Sequence, residues 1–164
     1  MDNECCQNVI RSFKLSRLDY GSCLLGGISK RDLTRLQRIQ NKCARLVYMK
    51  PKWSHATPLL RSLHWLPVEK RIKFRLLCQT FKTLQNALPS YIYNFFDFQK
   101  SAYSLRSTSA IKLVVPKSRI NIGMKSFSSL SARLWNNLPR NIKQSASLES
   151  FKKLLKTHLF LSNA

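Results

Sequence analysis

Acidic residues are the scarcest component of this 164-residue chain, which has 7 Asp and Glu against 29 Lys and Arg. They stand singly, apart from Asp2 and Glu4 near the start. Two-metal nucleotidyl transfer or hydrolysis needs at least two carboxylates converging on Mg²⁺, so that chemistry finds no candidate ligands. Glycine is nearly as sparse, with 4 residues, and none of them builds a phosphate-cradling loop. There is no Cys-x-x-Cys pair, and His55 and His64 lack neighbours at metal-ligand spacing, which argues against a structural zinc. No Ser-His-acid set offers a nucleophile. No apolar run approaches the roughly 20 residues that a membrane span needs. The 5 cysteines are irregularly spaced and follow no secretory signal, a pattern of free thiols in a reducing compartment. The expectation is therefore a protein with no catalytic residue, metal, cofactor or membrane partner.

What is present is positive charge on a foldable chain. The net charge is +22, yet 44% of residues are hydrophobic, too many for a disordered basic tail. The charge is regional: residues 1–28 are neutral, residues 29–53 carry +7, residues 54–100 carry +5 and residues 101–164 carry +10.

Periodicity predicts mostly helices. Cys6, Val9, Ile10, Phe13 and Leu18 share one face of a first helix. Gly21, Gly26 and Gly27 break it. Ser29 and Asp32 form a capping box before an apolar stripe of Leu33, Leu36, Ile39, Cys43 and Leu46, which ends before Pro51. The dipeptide Leu-Pro occurs three times, ending at Pro67, Pro89 and Pro139. The sequences that follow share no pattern, so these are helix-opening punctuation and not a repeat. Pro67 is expected to open a helix to about Gln85. "SAYSLRSTSA" reads as a polar loop, and "IKLVVPKSRINIG" as a short β-hairpin. Ser147 then caps a last helix with Leu148, Phe151, Leu155 and Leu159 on its stripe.

Two basic clusters stand out. Arg31, Arg35, Arg38, Lys42 and Arg45 recur at steps of four and three, so they fall in an arc of about 80° beside the apolar stripe. A merely solvated face interleaves acids, and this one has a single acid at its start, which favours phosphate binding. Lys70, Arg71, Lys73 and Arg75 wrap around the next long helix and form a weaker second candidate. Trp65 and Trp135 sit among leucines and read as core, whereas Trp53, in a loop beside Lys52, is a candidate for base stacking. Cys43 and Cys78 read as buried thiols.

Taken in order, "LSRLDYGSCLL", "LQRIQNKCARLV", "LLRSLHWLPVEKRIKFRL", "ALPSYI", "LRS", "FSSLSARLWNNLP" and "SLESFKKLLKTHLF" resemble a known series. It is the C-terminal segment, after the reverse transcriptase palm, of LINE-type (non-LTR) retrotransposon polyproteins. The resemblance runs from about Leu15 to Phe160. The chain departs from the family in having no Tyr-x-Asp-Asp and no Cys/His knuckle, and in reading Asp19-Tyr20-Gly21-Ser22 where Asp-Tyr-Cys-Asn is common. The expected fold is mainly α: a helical bundle over residues 1–97, which the resemblance implies is thumb-like, then a C-terminal region over residues 98–164 with the small β-hairpin and two helices. The resemblance implies a basic face near template and primer, and it carries over no catalytic residue. The expected function is sequence-tolerant binding of RNA or of single-stranded or duplex DNA through phosphates. An upstream polymerase domain is a further expected partner, and the nucleus, with the cytoplasm as a second location, is the expected compartment. The competing readings are a helical protein-interaction domain and a retroelement remnant without a selected function.

Overall fold

A computed structural model describes residues 3–99 and 111–162. The chain is mainly helical and divides into two compact units, residues 1–72 and 73–164.

The first unit begins with α1 (Asn3–Ile10), a π-helical turn (Arg11–Leu15) and α2 (Ser16–Asp19). A π turn bonds each residue to the fifth one along, so Ile10 and Leu15 come to one side and both are buried. Phe13, expected on the inner face, is 66% exposed for the same reason, and Val9 is exposed too. A 3-10 turn (Leu24–Gly27) leads to α3 (Lys30–Val47), which starts as its sequence predicts: the Ser29 hydroxyl accepts from the Asp32 N–H at 3.1 Å. After α4 (Ala56–Ser62), α5 (Val68–Leu84) opens with the Pro67 carbonyl accepting from the Arg71 N–H at 2.8 Å. Ile10, Leu15, Cys43, Ala44, Val47, Leu60, Leu63 and Trp65 form the core of this unit.

Side-chain amides on α3 fix the junction between α4 and α5. Gln40, fully buried, donates Nε2–H to the Leu66 carbonyl at 2.8 Å, and Gln37 Oε1 accepts from the Val68 N–H at 2.8 Å. Gln37 Nε2 in turn donates to Gln40 Oε1 and to Asn41 Oδ1. The proline between Leu66 and Val68 has no N–H, and these amides satisfy the flanking groups that burial takes from water. A second tie is ionic: Arg71 grips both carboxylate oxygens of Asp19 through Nε and Nη2, the latter at 2.7 Å.

With glycine scarce, other residues fill the left-handed positions after α3, α4 and α5. Met49, His64 and Asn86 have φ of 49°, 53° and 53°. Each closes a paired set of bonds, as in Lys50 N–H to the Arg45 carbonyl with Met49 N–H to the Leu46 carbonyl. The same pair recurs at Trp65 with His64, and at Ala87 with Asn86.

The division between units falls within α5, between Ile72 and Lys73. The second unit continues with α6 (Ser90–Tyr93), α7 (Asn121–Met124), α8 (Phe127–Asn136), α9 (Arg140–Lys143) and α10 (Leu148–Leu161). Its core holds an aromatic group in which Phe81 stacks on Phe151 at 4.3 Å between centroids, with Trp135 about them at 6.5 and 6.1 Å. The Trp135 indole N–H donates to the Ile111 carbonyl at 3.0 Å. Pro89 and Pro139 stand immediately before α6 and α9, and Ser147 caps α10 by accepting from the Ser150 N–H.

The expected β-hairpin is a correction. Among the described residues there is no strand, only one antiparallel bridge between Phe98 and Leu113. Residues 97–99 take one side of the segment, through Gln99 N–H to the Lys112 carbonyl and Val114 N–H to the Asp97 carbonyl. The Asn136 amide takes the Leu113 backbone on the other, accepting its N–H at 3.0 Å and donating to its carbonyl at 2.8 Å. No backbone edge remains for a hairpin arm. Residues 118–123 fold tightly instead: a Cβ on Gly123 would lie 2.0 Å from Ser118 Oγ. The polar loop expected at residues 101–110 lies outside the described residues.

Candidate nucleic-acid interface

Helix α3 organises the candidate surface. Its buried residues are Gln40, Cys43, Ala44 and Val47, with Leu33, Leu36 and Gln37 partly buried around them. That face is rotated by about 60° from the stripe read off the apolar residues alone. Ile39 and Leu46, both in that stripe, are 45% and 56% exposed. The signal that places the face correctly is the cluster Cys43, Ala44 and Val47 together with Gln40, whose amide behaves as core because it is fully bonded.

The rotation moves the basic arc as well. At about 100° per residue, Arg31, Arg35, Arg38, Lys42 and Arg45 centre opposite the buried face and not beside it. Arg31, Arg35, Arg38 and Lys42 are exposed. Asp32, the one acid of α3, accepts the Ser29 hydroxyl at 2.7 Å and lies 3.5 Å from Arg35. So exposed an ion pair, at the length it has here, neutralises little. Ile39 and Leu46 border the arc as an exposed apolar flank, a feature the sequence reading missed.

Arg45 differs from its companions. It is half-buried, and its Nε–H donates to the Ser54 carbonyl at 2.8 Å. That bond ties the connection from α3 to α4 back onto the end of the arc. Trp53, the residue before Ser54, is 77% exposed. Trp65 and Trp135 are buried, as expected, at 3% and 2%.

The second basic cluster is dispersed. Arg71 is committed to Asp19, with side chains only 21% and 15% exposed, and so serves the fold. Lys70 is half-buried in the first unit; Lys73, half-buried, and Arg75, exposed, belong to the second.

Other chemistry is thinly provided. A cleft of about 290 Å³ between α3 and the start of α5 is lined by Leu33, Thr34, Gln37, Arg38, Asn41 and Glu69, but its amides are engaged with one another and with Val68. Burial pushes the Cys43 thiol above its ordinary range, the Lys14 charge pulling it only partly back, which disfavours the reactive thiolate. Cys78 is buried too. Burial, then repulsion from Lys112, lowers the affinity of Lys143 for its proton. Among the described residues no three His, Cys, Asp or Glu side chains gather where they could hold a metal ion, and no helix is long and apolar enough to cross a membrane. The chain matches no protein family, curated protein or solved structure with which it was compared.

Proposed function

We propose that this chain is a sequence-tolerant nucleic-acid-binding module without a catalytic centre of its own. The observation that carries the reading is the exposed row Arg31, Arg35, Arg38 and Lys42, set opposite the buried face of α3 and weakly opposed by one acid. Four like charges on one helix face repel each other unless a polyanion neutralises them, and a phosphate backbone does so without reading bases. The resemblance to the post-palm segment of LINE-type reverse transcriptases supports the same partner class, RNA or DNA. It also supports contact with an upstream polymerase domain and residence in the nucleus. Exposed Phe13, Tyr20 and Leu24 near the start of the first unit offer apolar surface for the domain contact.

Binding to a single strand is expected to weaken with salt at a log–log slope of about −3, from four contacts at roughly 0.7 each. The variant Arg35→Glu, Arg38→Glu, Lys42→Glu is expected to flatten that slope and weaken all sequences alike while leaving helicity intact. Reversal of the exposed Lys152, Lys153 and Lys156 on α10 is the control and is expected to cost less. Equal losses in the two variants would reduce the attraction to bulk charge. No loss in either would favour a protein-interaction role.

A further inference from the structure

We infer that the first unit prefers strands with unpaired bases, because Trp53 is a base-stacking platform and Arg45 is the positioning residue that holds it. The inference rests on the nucleic-acid reading and adds to it the class of strand. Trp53 exposes 77% of a large aromatic side chain, while the other two tryptophans are spent on core packing. A loop that left such a ring in water by chance would be slack. This one is tied at four points. Met49 closes α3 by turning left-handed, with Lys50 N–H on the Arg45 carbonyl at 2.9 Å. Tyr48 and Ser62 share a hydroxyl hydrogen bond of 2.8 Å. Ser54 N–H reaches the Pro51 carbonyl at 3.1 Å, and Arg45 Nε–H holds the Ser54 carbonyl at 2.8 Å.

The occupant follows from charge. The segment that carries the ring, residues 29–53, has a net charge of +7, and the exposed cations of α3 lead along the helix toward it. A strand following those cations by its phosphates brings its bases to an aromatic face, which accepts any base because every base has a π-face. A paired duplex keeps its bases stacked inside and gains only the phosphate contacts. Arg45, half-buried with its Nε–H on the Ser54 carbonyl, contributes geometry first and phosphate binding second, which separates it from the exposed Arg38 and Lys42.

The experiment follows the tryptophan emission of the full chain and measures affinity for a thymidine oligonucleotide and for an abasic strand of equal length and charge. The thymidine strand is expected to bind about tenfold more tightly, the value of roughly one stacked base. Trp53→Ala should erase that gap and leave the abasic affinity unchanged, while Trp53→Phe keeps most of it. Arg45→Lys, Arg45→Gln and Arg45→Met separate position from charge. A positioning Arg45 predicts that the Gln variant, whose Nε2–H can stand where the Arg Nε–H stands, keeps both the gap and the salt slope, whereas Arg45→Met, with no donor for the Ser54 carbonyl, loses the gap and keeps the slope. A phosphate-binding Arg45 predicts that the Lys variant is silent and the Gln variant flattens the slope, which overturns its assigned role. Equal affinity of the wild-type chain for the two strands sinks the platform and leaves phosphate binding standing. No affinity for either strand sinks both. A shift of Trp53 emission on phosphatidylserine vesicles, with none on the thymidine strand, marks a lipid-facing surface and overturns the inference.

Discussion

Met49, His64 and Asn86 hold backbone conformations that a side chain disfavours by about 1–2 kcal/mol, least for Asn. All three side chains are exposed, so little packing is lost on trimming them. Met49→Gly and His64→Gly are each expected to raise the unfolding free energy by about 0.5–1 kcal/mol, after the extra freedom glycine gives the unfolded chain, and Asn86→Gly to change it little. Urea titration measures this, and a loss at His64 would show that its ring does more than cap α4. The Arg71–Asp19 pair predicts the opposite sign. Arg71→Met leaves a mostly buried carboxylate without its fork and is expected to cost about 1–3 kcal/mol. The Arg71→Met, Asp19→Asn double variant should lose less than the sum of the singles. Nucleic-acid affinity of the folded Arg71 variant should stay near wild type, since this guanidinium is mostly buried and its Nε and Nη2 are committed to Asp19.

At the scale of the element, local signals were legible and distant partners were not. Ser29 with Asp32, Ser147, and the prolines before α5, α6 and α9 mark helix starts through groups three or four residues away, so the sequence alone locates them. Trp65 and Trp135 were legible as core because leucines surround them. The inner face of α3 lies off the expected stripe because that stripe omits Ala44 and Val47 and because hydropathy assigns Gln40 to water, whereas bonds to Gln37 and to the Leu66 carbonyl, 26 residues away, make it core. The first helix was misread because a π turn changes the period in midcourse, and nothing in "RSFKL" announces it. The hairpin was misread because alternation predicts a strand's faces but not its neighbours, here Asn136 and residues 97–99. The candidate site divides in the same way. The arc on α3 follows from helical spacing, whereas the different duties of Arg45 and Arg71 depend on Ser54 and Asp19, 9 and 52 residues away.

For the whole molecule, a net charge of +22 sets folding and binding against each other as salt is added. Ions screen the self-repulsion that strains the folded chain, and they also displace it from phosphates. Raising KCl from about 0.05 to about 0.5 M is therefore expected to raise the melting midpoint by a few degrees while binding weakens by orders of magnitude. A midpoint that falls with salt would show that particular ion pairs outweigh the general repulsion. Chain length is constrained far less evenly than charge. The two amides of α3 measure the backbone from Leu66 to Val68 with one bond on each side of Pro67, like two pins through adjacent holes. Exchange of Leu66 or Val68 for another apolar residue with an N–H leaves both bonds available, because they touch main-chain atoms alone. One residue inserted or deleted at Pro67 pulls both pins together and strands a buried glutamine. This junction is thus open to exchange among apolar side chains and strict in count, because the buried Leu66 and Val68 must stay apolar while the two bonds fix the number of residues between them.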